Sequence, residues 1–194
     1  MSMYHSGSRE LQDRFGSRAL ADRLVERLWR PRFKDEDKAF IEAQGFFFIA
    51  TADAEGRPDC SFKGGAPGFA KVIAPDLLVY PDYDGNGMFK TLGNIAVNPA
   101  VGMLFIAMGA QPKRLRMNGR ARIVPDDPMM KEFAGAQLMI HVTPVDIFPN
   151  CPRYVPNLAT GEPSVYVPTA EGPPVEPAWK SFDTLKDVVP PRKA

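Results

Sequence analysis

Cysteine, histidine and tryptophan each occur only twice among the 194 residues of this chain. Two cysteines, Cys60 and Cys151, are too few for a disulfide scaffold and lack the spacing of a zinc site. His5 and His141 lie far apart in sequence, which argues against a histidine metal centre. No apolar run approaches the ~20 residues a membrane-spanning helix requires. Residues 1–30 carry charges throughout and have no apolar core, so a secretory leader is not expected. Charge of neither sign dominates, because 24 basic side chains meet 23 acidic ones for a formal net charge of +1. That balance removes the bulk electrostatic case for a nucleic-acid partner. The expected setting is a reducing cytoplasm, away from membranes. Walker and GxGxxG spacings are missing, as are paired carboxylates and a Ser/His/Asp arrangement.

What is present is a globular composition, 44% hydrophobic with 20 prolines and 16 glycines, sufficient for one core with appendages. Leu11, Phe15, Leu20, Leu24, Val25 and Leu28 recur at helical spacing, so residues 8–29 read as an amphipathic helix, or two pieces broken near Gly16. Pro31 stops it. A short helix over 34–44 follows, with Asp35 or Asp37 near its start and Gly45 past its end. Strand-length runs then cover 46–52, 58–63, 69–73, 77–80, 101–108, 115–124 and 137–144. Turn compositions such as Asp53-Ala54-Glu55-Gly56 and Ala74-Pro75-Asp76 separate them. Helical spacing interrupts at 88–97, and another short helix is expected over 126–136. The fold class is mainly β, with about six antiparallel strands closing into a barrel flanked by helices. Prolines crowd the chain from Pro144 onward, where they bar a central strand or long helix. The expected divisions are a helical extension over 1–33, the barrel over 34–156, and a Pro-rich tail over 157–194 that packs on the body or on a partner.

Three segments carry a cation beside glycine. Ser61 and Lys63 share one face of a strand that runs into Gly64-Gly65, which suits an anion or is a solvated face before a loop. Tyr80-Pro81-Asp82-Tyr83-Asp84-Gly85-Asn86-Gly87-Met88 leads into a helix, with Lys90 one turn inside. Exposed N–H groups and the helix dipole there make a phosphate site, or Asn86 is an ordinary cap. Arg114, Arg116, Arg120 and Arg122 alternate on one side of a strand unless a bulge at Asn118-Gly119 breaks the register. Cys60, inside a strand run, reads as a buried thiol.

Taken in order, the opening hairpin FIATADAEGRPDCS, GGAPGF, the Pro81-to-Asn86 loop, TLGNIAVNPAVGMLFI and LRMNGRARI resemble the pyridoxamine 5′-phosphate oxidase-like superfamily of FMN-binding split barrels. The likeness spans about 34–156 and is to the branch of related flavoproteins. It implies a six-stranded antiparallel Greek-key split barrel that forms a homodimer, with FMN at each of two subunit interfaces. By position it assigns Ser61, Lys63, Tyr80, Pro81, Asp82, Asn86, Gly87 and Met88 to the cofactor, with Lys63 as counter-charge to the phosphate. Arg114 falls where the oxidase has a glutamine touching the flavin ring, and a cation there would stabilise anionic reduced flavin.

The oxidase's C-terminal tryptophan- and arginine-containing segment is missing, which argues against oxidation of pyridoxamine phosphate. Where related members carry His-Cys ahead of a cation, this chain has Asn150-Cys151-Pro152-Arg153, and no catalytic acid or base stands out. The resemblance implies an FMN-dependent oxidoreductase acting on a small molecule. A flavin carrier or sensor, or a reductase using deazaflavin F420, is the alternative. Haem is the least suited, since only two histidines could ligate iron.

Overall fold

The computed structural model describes residues 3–162, 165 and 175–190. The chain divides into two units. One comprises Met1–Trp29, Met108–Pro112 and Pro152–Ala194, and the other Arg30–Ala107 and Lys113–Cys151. In the first unit, α1 (Ser6–Arg14) and α2 (Arg18–Leu28) are separated at Gly16, whose φ of +66° admits glycine without strain. Arg23 of α2 donates to the Thr184 carbonyl at 2.8 Å and pairs with Asp187. The helical extension and the described end of the tail therefore form one body. Positions 163–164, 166–174 and 191–194 of the Pro-rich tail lie outside the described residues. Among the described residues, no helix is long and apolar enough to cross a membrane.

The second unit opens with α3 (Asp35–Glu42). Asp37 starts it, accepting from the Lys34 N–H at 3.0 Å and pairing with Arg30. Seven strands follow: β1 (Phe46–Ala52), β2 (Pro58–Gly64), β3 (Lys71–Ala74), β4 (Leu77–Tyr83), β5 (Ala100–Ala107), β6 (Lys113–Val124) and β7 (Ala136–Asn150), with α4 (Lys90–Val97) between β4 and β5. They make one sheet in the order β2-β1-β5-β6-β7-β4-β3, and every pairing is antiparallel. The seven strands match the seven strand-length runs and correct the count of six given for the barrel. The four residues of β3 pair only with β4, as a short edge hairpin.

The sheet is curled. β1 and β4 stand four places apart in the strand order, about 19 Å if the sheet were flat. Yet the rings of Phe47 on β1 and Tyr80 on β4 are 5.0 Å apart. Phe47 also stacks on Phe69, from the loop joining the two edge strands, at 5.5 Å. Phe47, Ile49, Leu78, Phe105, Leu115, Met117 and Ile147 are fully or almost fully buried in this core, where truncating one phenylalanine to alanine costs about 3–5 kcal/mol. α4 contributes Leu92 and Ile95 to it. Asn94 of α4 donates to Thr51 Oγ1 at 2.9 Å, a buried tie between helix and β1.

β7 runs past the expected end at Pro144. Beyond Val142 it has lost β4 as a neighbour: β6 pairs along one edge, and the other meets only Arg30, which bridges to Ile147 through two backbone hydrogen bonds. Pro144 and Pro149 therefore flank that single bridge on an edge with no neighbouring strand among the described residues, where a missing N–H is tolerated. The bulge signalled by Asn118-Gly119 falls on β7 instead. Asn118 pairs with Asp146 and Gly119 with Pro144, leaving Val145 as the extra residue. A Cβ on Gly119 would lie 2.5 Å from the Thr143 carbonyl, so glycine is required by the close backbone approach. β6 itself keeps its alternation, and Arg114, Arg116, Arg120 and Arg122 stay on one face. The helix expected over 126–136 is a single 3-10 turn over Pro128–Glu132.

Candidate functional site

Edge strand β2 sorts its side chains by register. Ser61 stands opposite Ile49 and Lys63 opposite Phe47. Both partners are core residues, so Ser61 and Lys63 point to the inner face of the barrel at its open edge. Cys60 and Phe62 stand opposite Ala50 and Phe48 and face outward. Cys60 is exposed, which corrects the reading of a buried thiol: an edge strand has no neighbour on one side to cover it.

A cleft of about 390 Å³ opens at this edge, between β2, the end of β4, the 84–89 loop and the start of α4. Asn86 does not cap the helix. Its Oδ1 accepts from the Met88 N–H at 3.0 Å, closing a local turn. Gly87 and then Phe89 take left-handed backbone, with φ of +73° and +49°, which delays the helix to Lys90. No side chain caps α4, and the first N–H to bond back is that of Gly93, onto the Phe89 carbonyl at 2.7 Å. The N–H groups of Lys90, Thr91 and Leu92 therefore lack intrahelical acceptors, and all three residues line the cleft.

Lys63 and Lys90 supply the cations of the cleft, and Asp59, Asp82 and Asp84 its carboxylates. Burial raises the Asp82 carboxyl above its ordinary value, and the charge of Lys63 opposes that rise. Ser61, Lys63, Asp82, Asn86, Gly87 and Met88 are thus brought together in one cleft. Tyr80 and Pro81 are not among the lining residues. Tyr80 lies in the core, its Oη has no hydrogen-bond partner among the described residues, and burial pushes its phenol far up. Pro81 is buried on the other face of β4, opposite Met139.

Arg114 lines a different cleft, of about 340 Å³, on the outer face of the sheet. Arg114 and Arg116 stand opposite Ile106 and Leu104, and Asn118 opposite Gly102. Arg114 Nη2 donates to the Cys151 carbonyl, while its Nε is buried without a partner among the described residues. Cys60 lines both clefts. Gln137 reaches the first cleft and Asn150 the second through the pairing of β7, a placement that no local motif encodes.

A third polar group lies apart from both. Arg122 Nη2 donates to His141 Nδ1 at 2.9 Å, so Nε2 holds the ring proton and donates to Asp127. Asp127 also accepts from the Met129 N–H at 2.8 Å. That backbone bond first, and His141 second, hold its carboxyl below the usual range. Among the described residues, no cluster of three or more His, Cys, Asp or Glu side chains is placed to hold a metal ion.

An antiparallel split barrel, with a helix start and two lysines at its open edge, defines the class of this protein. The chain belongs to the pyridoxamine 5′-phosphate oxidase family, whose model matches residues 33–152. Among solved structures, it is similar to a candidate pyridoxamine 5′-phosphate oxidase from Lactobacillus delbrueckii, with 17% identity and a TM-score of 0.51 over 61% of this chain and 95% of that one. HutZ, the heme storage protein of Vibrio cholerae, shares 23% identity with a TM-score of 0.43 over 60% of this chain and 96% of its own. An FMN-binding protein from Syntrophomonas wolfei shares 11% identity with a TM-score of 0.43 over 74% of this chain and 94% of its own. No protein of curated function matches the sequence.

Proposed function

We propose that the protein is an FMN-binding oxidoreductase that exchanges hydride or electrons with a small molecule and works as a homodimer. The supporting observation is the first cleft, where uncapped N–H groups of α4 stand with Lys63 and Lys90. Helix N-terminal amides beside ammonium groups are the chemistry a phosphate monoester requires. The three carboxylates fit the rest of the ligand, since the ribityl hydroxyls and the imide N–H of FMN are donors that need acceptors. Bound FMN would supply the redox chemistry. The residues of the chain bind and orient it.

The two faces of the sheet support the dimer reading. Lys63 lies on the inner face of the sheet and Arg114 on the outer face, so one flavin meets both most directly when a second copy supplies the Arg114 cleft. The aromatic group of Phe46, Phe48 and Phe62 on that outer face, with Phe62 60% exposed, is apolar surface for such a partner to cover. Addition of FMN to the purified protein tests the cofactor. The expected result is a yellow protein with a raised melting temperature, and NAD(P)H consumption then separates an enzyme from a carrier. A colourless protein with an unchanged melting temperature would overturn the reading.

A further inference from the structure

The second cleft holds two cations and no carboxylate. Its polar side chains are Arg114, Arg116, Asn118 and Asn150. Neither arginine forms a salt bridge among the described residues. Arg116 is held over the Phe148 ring, its guanidinium carbon 5.2 Å from the centroid, and the buried Nε of Arg114 lacks an acceptor among the described residues. The two residues stand about 7 Å apart along one face of β6, close enough to serve one bound anion and its neighbour.

The rest of the cleft is apolar and low. Ala50 and Gly102 are directly paired and form a shallow floor, with Phe48 and Leu104 as the adjacent pair. A Cβ on Gly102 would meet nothing nearer than Asn118 Oδ1 at 3.5 Å, so the space above it is open. Two unneutralised guanidiniums beside a flat apolar floor select a ligand with an anionic end and a planar body.

We infer that this cleft takes a flat, apolar small molecule bearing a carboxylate. The carboxylate meets Arg116, with Arg114 beside it, and the body lies over Ala50 and Gly102 beside Phe48 and Leu104. The inference rests on the flavoprotein reading only in treating this molecule as the substrate. In the dimer the flavin's carbonyl edge takes one guanidinium and the substrate's carboxylate the other, which sets substrate against ring.

Calorimetric titration of the purified protein, with and without FMN, tests this with benzoate, benzamide and phenyl phosphate as probes. Benzoate is expected to bind at least about tenfold more tightly than benzamide, and more tightly than phenyl phosphate. Arg116→Gln is expected to lose about tenfold or more in benzoate affinity, and Arg116→Lys to recover part of it. Gly102→Leu, checked for an unchanged fold by circular dichroism, is expected to remove binding by filling the floor. Equal affinity for benzoate and benzamide, a preference for phenyl phosphate, or an Arg116→Gln variant that binds normally would overturn the inference. Absence of benzoate binding, with or without FMN, overturns the inference, and retained FMN then leaves the flavoprotein reading in place. Benzoate binding by a protein that takes no FMN keeps the cleft and sinks the flavoprotein reading.

Discussion

Lys63 and Arg114 stand on opposite faces of the same curled sheet. Lys63 is in register with Phe47 on the core side, at the open edge. Arg114 is in register with Ile106 and Asn150 on the outer side, three strands away in the sheet. Sequence order makes them look like two halves of one cradle, but the alternation of a strand separates them. The relationship turns a question about a cofactor into one about assembly.

Lys63 is the sharpest single probe of the inner cleft. Its ammonium forms no salt bridge among the described residues, and its charge acts on Asp82. Lys63→Ala is expected to weaken FMN binding by about 1–3 kcal/mol, the range for a charge-assisted contact to phosphate. Fluorescence titration of free flavin reads this directly. Unchanged affinity would return Lys63 to the solvent.

Gly119 and Gly102 separate two roles of glycine in strands. A Cβ at Gly119 would stand 2.5 Å from the Thr143 carbonyl and 3.3 Å from Pro144 Cα, both backbone atoms. Gly119→Ala is therefore expected to cost about 1–3 kcal/mol through overpacking. Gly102→Ala meets no such contact and is expected to stay within about 0.5 kcal/mol of the natural protein. Urea denaturation of the two variants side by side is the check. Equal stabilities would mean that β7 does not approach β6 this closely at the bulge.

The carboxyl of Asp82 is raised by burial, so the folded protein holds its proton more tightly than the unfolded chain does. Stability from this group is present below the ordinary carboxylate range and falls as pH rises through the raised value. Asp82→Asn should remove that decline, making the variant the relatively more stable protein toward neutral pH. Parallel pH dependences of the two unfolding free energies would contradict the burial of Asp82.

Asp127 has the opposite sign. The Met129 N–H and then His141 lower its carboxyl, so its contribution is present above the ordinary carboxylate range and is lost as pH falls through the lowered value. Asp127→Ala is expected to cost about 1–2 kcal/mol near neutral pH, the cost of losing a capping acceptor, and progressively less in acid. Urea unfolding across pH, with His141 followed by NMR, measures both effects. A penalty of equal size at low pH would show that packing, and not the charge, carries it.

Much of the barrel was legible in the chain. Gly16 divided the N-terminal helices, Pro31 and the Asp37 start framed α3, and the turn at 53–56 closed β1 onto β2. Turn chemistry is local, so it survives in one dimension. What was not legible depends on neighbours. Cys60 is exposed because β2 is an edge, Tyr80 turns inward because β4 closes against β1, and β7 tolerates Pro144 and Pro149 because β4 ends beside Val142. The Asn118-Gly119 signal marked the right place but the wrong strand, since Gly119 accommodates a bulge in its partner. At the site, the 84–89 loop was readable as a helix entrance. The arrival of Asp59 in the cleft, and the assignment of Arg114 to the other face, come only from register.

The most direct test of a flavin site completed by two subunits is complementation. Lys63→Ala and Arg114→Gln proteins are mixed, dissociated and reassembled at an FMN concentration where neither alone retains flavin. A symmetric dimer whose sites each draw Lys63 from one subunit and Arg114 from the other regenerates one intact site in every mixed dimer, so about a quarter of all sites should recover bound FMN. If no flavin is recovered although mixed dimers form, Lys63 and Arg114 serve the cofactor within one chain or not at all, and the two-subunit site is contradicted.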